Sequence, residues 1–167
     1  ESVVEEDLQE KFADAHHAVT ISRYNLQHLR ARFPESAERM RLVYNGLELA
    51  RFPFVPQRDQ DLRLLSVGRL VEKKGFPLLI ESVRRLRERG LAVTAEIAGD
   101  GPLREELQEQ IDRAGLNDAV TLLGPLTQSE VRDLLGTRRL FVAPFVIAED
   151  GNADGLPTVL LEAMARG

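Results

Sequence analysis

Residues 62–101 read LRLLSVGRLVEKKGFPLLIESVRRLRERGLAVTAEIAGDG. Leu62 to Val67 is a short apolar run ending at Gly68, the pattern of a buried strand. Phe76, Leu79, Ile80, Val83 and Leu86 then recur at helical spacing, with arginines on the other face, and Gly90 ends the helix. Val93 to Ala98 is a second strand, closed by Gly99.

The same rhythm continues downstream. Leu103, Leu107 and Ile111 fall at four-residue steps, an amphipathic helix that stops near Gly115. Ala119 to Leu123 is strand-like. Thr127 is an N-cap, with Glu130 three residues later completing a capping box. Val131, Leu134 and Leu135 supply the apolar face of that helix. Leu140 to Ala143 is a further strand ended by Pro144, and after a Gly/Asp loop Pro157 opens the last helix. Strand and helix alternate four times, which predicts an α/β fold: a doubly wound parallel sheet with helices on both faces. Ligands of such sheets bind at the carboxyl ends of the strands, so the loops after Val67, Ala98, Leu123 and Ala143 are where chemistry belongs.

Upstream the pattern is less regular. Leu8 to His16 and Tyr24 to Phe33 look helical; Ala18 to Ile21 and Arg41 to Tyr44 look like strands, the latter followed by the Asn45-Gly46 turn signal. Pro53, Pro56 and the polar stretch Gln57 to Asp61 break the pattern. The expected division is residues 1–56 and residues 57–167.

Composition narrows the function. The 167 residues are 43% hydrophobic and 29% charged, which argues against disorder and fibrous repeats. No apolar run approaches the roughly 20 residues needed to span a membrane. Cysteine is absent, so disulfides, a cysteine nucleophile and thiolate metal sites are excluded, and three histidines make a structural zinc site hard to build. A net charge of −5 argues against a nucleic-acid surface. A soluble cytoplasmic protein is expected. The chain starts at Glu1 and stops at Gly167 directly after a helical run, and the expectation is a fragment of a longer protein.

Several clusters carry chemistry. Gly68-Arg69-Leu70 follows a strand, and Lys74-Gly75 precedes a helix. Arg69 and Lys74 thus flank a strand-to-helix turn whose backbone amides and helix dipole suit a phosphate or diphosphate; two solvated surface charges are the alternative. Gly99-Asp100-Gly101 also joins a strand to a helix, but Arg104 stands where a dinucleotide fingerprint needs its third glycine, so either a tight turn near a ligand or a purely structural turn fits. Asp154 lies at a helix N-terminus, where it either offsets the dipole or faces a ligand. Glu162 interrupts the apolar run Val159, Leu160, Leu161, Ala163, Met164, so its carboxylate must face a partner or a polar cleft. Weaker candidates are the acidic triplet Asp59-Gln60-Asp61, the His16-His17 pair, and basic stretches at Arg23 to Arg41 and Arg84 to Arg89. The first basic stretch could touch an anionic membrane surface; a solvated helix face is the plainer reading.

Taken in order, Val67-Gly68-Arg69-Leu70 through Lys73-Lys74-Gly75, Ala98-Gly99-Asp100-Gly101-Pro102-Leu103, and Asp154-Gly155-Leu156-Pro157 through Glu162-Ala163-Met164-Ala165 resemble family-4 retaining glycosyltransferases of the GT-B fold. Val43-Tyr44-Asn45-Gly46-Leu47-Glu48 and Arg51-Phe52 look like that family's domain junction. Ala13-Asp14-Ala15 with Val19-Thr20-Ile21-Ser22 resembles the end of its N-terminal domain. The stretch from Glu149 to Pro157 is most similar to bacterial exopolysaccharide glycosyltransferases, including the colanic-acid type.

The resemblance implies a nucleotide-sugar donor, a glycan or lipid-linked acceptor, and transfer with retention of configuration. It implies a Rossmann-like C-terminal domain, incomplete here, preceded by the end of an acceptor-side domain. Arg69 and Lys74 would hold the donor diphosphate without a metal or other cofactor. Asp154 and Glu162 would be the paired acidic motif, contacting sugar hydroxyls and ribose respectively, although Asp154 is shorter by a methylene than the family's glutamate. Gly68, Gly99, Gly101, Gly155, Leu156 and Pro157 would line the nucleotide-sugar site, and Leu126 with Thr127 would lie at the base. No nucleic-acid partner is expected, and peripheral association with the inner membrane is the alternative to a purely cytoplasmic location. Rival readings are another GT-B-like enzyme, such as a nucleotide-sugar epimerase or a sugar phosphorylase, and a non-catalytic nucleotide-binding module.

Overall fold

The structure, a computed structural model, describes residues 2–56, 61–152, 154 and 156–167, with side chains from Asp7 onward. It divides into two compact units, Glu1–Gly46 and Leu47–Gly167. The division falls ten residues ahead of the expected break after Pro56. The reason is where residues 47–56 pack. Phe52 is buried, the Val55 amide donates to the Arg166 carbonyl, and Arg166 Nη1 donates to the Pro53 carbonyl. Two prolines interrupt regular structure here without detaching the segment from the second unit.

The first unit contains helix α1 (Ser2–Asp14), strand β1 (Ala18–Thr20), helix α2 (Arg23–Arg32) and strand β2 (Met40–Leu42). β1 and β2 pair in parallel, Ala18 opposite Met40. Ser22 caps α2 by accepting from the Asn25 amide. Phe33 and Met40 are buried, with the Phe12 and Phe33 rings 4.9 Å apart. Much of the basic stretch is structural. Arg39 donates to the carbonyls of Ala13 and Ala15 at the end of α1, and Arg30 donates to the Met40 carbonyl.

The second unit contains β3 (Leu62–Val67), α3 (Phe76–Glu88), β4 (Val93–Ala98), α4 (Arg104–Arg113), β5 (Val120–Gly124), α5 (Gln128–Thr137), β6 (Leu140–Phe141) and α6 (Thr158–Arg166). The four strands form one parallel sheet in the order β5-β4-β3-β6. Adjacent residues of β3 point to opposite faces. Leu64 joins the core formed with α3 and α4, around Phe76, Ile80, Val83, Leu107 and Ile111. Leu65, fully buried, joins the other core with Val131, Leu135, Val159 and Ala163 of α5 and α6. Helices therefore cover both faces, the doubly wound arrangement that the alternation predicts.

The expected capping box is present: Thr127 Oγ1 accepts from the Glu130 amide and the Glu130 carboxylate accepts from the Thr127 amide at 2.7 Å. Several element ends differ from expectation, α1 (Ser2–Asp14 against Leu8 to His16) and β2 (Met40–Leu42 against Arg41 to Tyr44) among them, and two of the differences bear on the loop from β6 to α6. β6 stops at Phe141 rather than Ala143. Only the Val142 amide extends the ladder, to the Leu65 carbonyl, and the buried Ser66 hydroxyl takes the Val142 carbonyl at 2.7 Å. Pro144, without an N–H, could not continue the ladder. Pro157 is the N-cap of α6 in an extended conformation (ψ 137°), so the helix begins one residue later.

The strand order sets the position of a site. From β3 the chain winds outward to β4 and β5, then returns to place β6 on the other side of β3. β3 and β6 thus flank the point where the winding reverses, and the crevice outside their carboxyl ends is where doubly wound folds bind ligands.

Candidate functional site

Two loops meet in that crevice. The first, Gly68 to Gly75, leaves β3 and closes in a short 3₁₀ turn at Glu72–Lys74. The second runs from β6 to α6. Gly75 lets them meet. Its φ is +66°, and a Cβ at this position would lie 1.9 Å from the Pro144 carbonyl oxygen. Beyond Gly75 the loops are stitched together. The Val146 amide donates to the Lys73 carbonyl at 3.0 Å, and the Glu149 amide donates to Glu72 Oε1 at 2.9 Å.

The stitched loops bound a cleft of about 510 Å³ lined by Arg69, Lys73, Lys74, Asp150, Asn152 and Asp154 among others. Lys74 Nζ is 2.6 Å from Asp154 Oδ2, and Lys73 Nζ is 3.2 Å from Asp154 Oδ1. Oδ2 is shut off from solvent, and its contact with Lys74 is at ion-pair distance but off the hydrogen-bonding direction. Lys73 also donates to Asn152 Oδ1 at 3.1 Å. Lys74 Nζ sits 4.6 Å from the Phe145 ring centroid, a cation–π contact that helps fix the ammonium. Its stem lies across Gly68, where a Cβ would come within 3.2 Å of Lys74 Cε. Arg69 is exposed at the cleft and has no ion pair among the described residues.

Electrostatics within the cleft follow from this geometry. Burial by itself would raise the Asp154 carboxyl; the neighbouring Lys74 and then Lys73 ammonium groups outweigh it and hold the group below its ordinary value of 3.8. Two lysines share one carboxylate, leaving excess positive charge, and Arg69 adds to it. Three cations converging on one crevice suit a polyanionic group such as a diphosphate.

The other sequence-derived residues fall into two places. Gly99 and Gly101 shape the turn behind the cleft. A Cβ on Gly99 (φ +143°) would lie 1.9 Å from the Gly68 carbonyl oxygen, and one on Gly101 would lie 2.6 Å from that of Leu70. The Leu70 amide donates to Asp100, and the Leu103 amide donates to Leu70. These glycines bring two backbones together, and that close approach holds Arg69 at the rim. Glu162 is elsewhere. It is buried on α6 and accepts from Gln128 Nε2, at the start of α5, at 3.5 Å. Gln128 in turn accepts from Arg51 Nη2 at 3.3 Å. Thr127 lies at the same corner, its hydroxyl engaged in the helix cap, and Leu126 packs in the Leu65 core. Leu156 and Pro157 lead into α6, half-buried. Gly155 lies outside the described residues, as do Asp59 and Gln60 of the acidic triplet. Asp61 pairs with Arg63 at 3.4 Å. His16 and His17 meet edge to face. Among the described residues no group of three or more acidic or histidine side chains gathers as a metal site requires.

Sequence reasoning did not single out Lys73, Asn152 or Gln128. The signal for Lys73 was its adjacency to Lys74 on a tight turn. Asn152 and Gln128 are ordinary polar loop residues, and only the fold brings them to charged partners.

A parallel sheet wound in two directions from its central strand, with cations at the reversal point, defines a Rossmann-like α/β domain of the kind found in GT-B glycosyltransferases. Residues 50–167 match the family described as "Glycosyl transferases group 1", and the chain belongs to that family. Among curated relatives it is 38% identical over 134 residues to the amylovoran biosynthesis glycosyltransferase AmsK of Erwinia amylovora, covering 78% of this chain and 33% of that one. It is 36% identical over 132 residues to the putative colanic acid biosynthesis glycosyltransferase WcaL of Escherichia coli K12, covering 78% and 32%. The chain thus spans about a third of the length of these relatives. Among solved structures, S. aureus TarM superimposes with a TM-score of 0.81 at 18% identity, covering 97% of this chain and 30% of that one. That structure holds fondaparinux, alpha-GlcNAc-glycerol and UDP. Anabaena HepE, in complex with UDP and glucose, superimposes at 0.69 and 24% identity, covering 90% and 42%. Among the described residues no helix is long and apolar enough to cross a membrane.

Proposed function

We propose that the chain is the donor-binding part of a glycosyltransferase that moves a sugar from a nucleotide-sugar to a glycan or lipid-linked acceptor, with retention of configuration. The observation that carries this reading is the convergence of Arg69, Lys73, Lys74 and Asp154 in one cleft at the winding reversal of a group 1 glycosyltransferase domain. Relatives named for amylovoran and colanic acid biosynthesis support a role in exopolysaccharide or cell-envelope synthesis. The UDP in the TarM and HepE complexes supports a nucleoside-diphosphate donor. Residues 1–46 would be the end of a preceding acceptor-side domain. The protein would act in the cytoplasm, peripheral to the inner membrane.

The chemistry follows from charge. As the glycosidic bond of the donor breaks, negative charge gathers on the departing diphosphate. Once the donor is bound, Arg69 and Lys74 at the strand-to-helix turn would stabilise that charge, which lowers the barrier without a metal ion. Asp154 would bind sugar hydroxyls and Glu162 the ribose, each carboxylate orienting one part of the donor.

Saturation-transfer NMR with UDP, GDP, ADP and NAD offered together tests the site. One nucleoside diphosphate should give a signal, and Arg69→Ala/Lys74→Ala should remove it. A folded protein that ignores all three diphosphates would refute the assignment. In the parent protein, Asp154→Asn or Glu162→Gln should lose turnover; a binding module would keep its function.

A further inference from the structure

We infer that Asp154 is a resident counter-ion for the diphosphate site, which the donor must displace from Lys74, and that Lys73 is the positioning residue that keeps hold of it. This rests on reading Arg69 and Lys74 as the diphosphate site.

Asp154 Oδ2 occupies Lys74 at 2.6 Å, the ammonium that a diphosphate would use. A diphosphate and a carboxylate cannot share that ammonium at contact distance without strong like-charge repulsion. The two carboxylate oxygens are divided between the lysines, Oδ1 on Lys73 and Oδ2 on Lys74. The Lys74 contact is the shorter of the two, so the incoming diphosphate itself must drive release of Oδ2, and what separates the two lysines is how each is anchored. Lys73 is anchored on both sides. Its carbonyl accepts from the Val146 amide, and its ammonium bonds Asn152. Asn152 is itself held, its carbonyl accepting from the Ala148 amide at 2.9 Å and its amide donating to Asp150 Oδ1 at 2.8 Å. When a diphosphate takes Lys74 and Arg69, Asp154 therefore stays with Lys73, beside the donor rather than on its phosphates. Without Lys73 the carboxylate has Lys74 alone and competes with the donor more strongly.

Lys73 thus affects donor binding only through Asp154, and a double-mutant cycle reads this directly. UDP and GDP are titrated calorimetrically into the full-length protein and its variants, with circular dichroism confirming folding. Asp154→Asn should tighten binding of whichever diphosphate the protein takes, by about tenfold as expected for removal of a shielded counter-charge. Asp154→Ala should do the same and serves if the asparagine variant fails to fold. Lys73→Met should weaken binding several-fold in the native background and leave it unchanged beside Asp154→Asn; Lys73→Arg should restore it. If Lys73→Met weakens binding equally in both backgrounds, Lys73 touches the diphosphate itself and the inference fails. It also fails if loss of the Asp154 carboxylate leaves binding unchanged or weaker. If neither the native protein nor any carboxylate variant binds a diphosphate, the site reading falls, and this inference with it.

Discussion

Gly75→Ala is the substitution that most directly probes how the cleft is built, because two separable costs act at one residue. The first is backbone strain. At φ +66° and ψ 22° Gly75 is left-handed, a conformation that costs an L-residue about 1–2 kcal/mol. The second is overlap. The new Cβ would lie 1.9 Å from the Pro144 carbonyl oxygen and 2.9 Å from its carbon. Backbone must shift, at a cost of about 1–3 kcal/mol by analogy with overpacked interiors. Together the expected loss is about 2–5 kcal/mol. Gly90→Ala supplies the control: its φ is +83°, but nothing lies within 4 Å of the added carbon, so it should lose only the strain term. Urea unfolding followed by far-ultraviolet circular dichroism compares the two, through midpoints at constant slope. Hydrogen exchange adds a local reading: in Gly75→Ala the Val146 amide, bonded to the Lys73 carbonyl, should exchange faster, while Gly90→Ala should leave it protected. If Gly75→Ala is no more destabilising than Gly90→Ala, the close approach of the two loops is not a constraint on the fold. The account of how Asp154 reaches the lysines would then be wrong.

Other expectations follow from single contacts. Leu65→Ala, at a fully buried central-strand position, should cost about 2–5 kcal/mol by cavity formation, measured by the same unfolding transition. The Asp154 ion pairs have a defined pH sign. Its folded value lies below the unfolded 3.8, so the stabilisation is present above that value and is lost as pH falls through the lower folded one. Exchange of the Ala148 amide, bonded to the Asn152 carbonyl, should rise over that acid range in the native protein and show no such step in Asp154→Asn. Glu81 on α3 is held at about 2 by its hydrogen bonds to Arg84 and then Arg85. Its carboxylate should therefore stay ionised in an NMR titration well below the ordinary carboxylate range, and Arg84→Met should raise its titration midpoint.

The cleft was legible in part. Arg69, Lys74 and Asp154 stood out because cations after a strand and a carboxylate before a helix are local patterns with a chemical meaning. That they form one cluster was not legible, since Lys73 and Asn152 meet across 79 positions of sequence. Glu162 reads from its apolar neighbours as a carboxylate needing a partner or a polar cleft, but Gln128, which donates to it, carries no motif. Gly99 and Gly101 left a ligand turn and a structural turn equally open, and the 1.9 Å and 2.6 Å approaches to the Gly68 and Leu70 carbonyls show a backbone-packing role.

The sequence by itself determined the alternation of strands and helices, the Thr127–Glu130 capping box and the two-faced burial of β3. Each depends on side-chain periodicity or on groups within a few residues of one another. Tertiary structure decided three further things. It set β6 beside β3, gave the Val142 carbonyl the Ser66 hydroxyl as its donor, and assigned residues 47–56 to the second unit through Arg166. Strand order and counter-ion choice depend on contacts between distant segments, whose energies appear only once the chain is folded, and the cleft exists because of both.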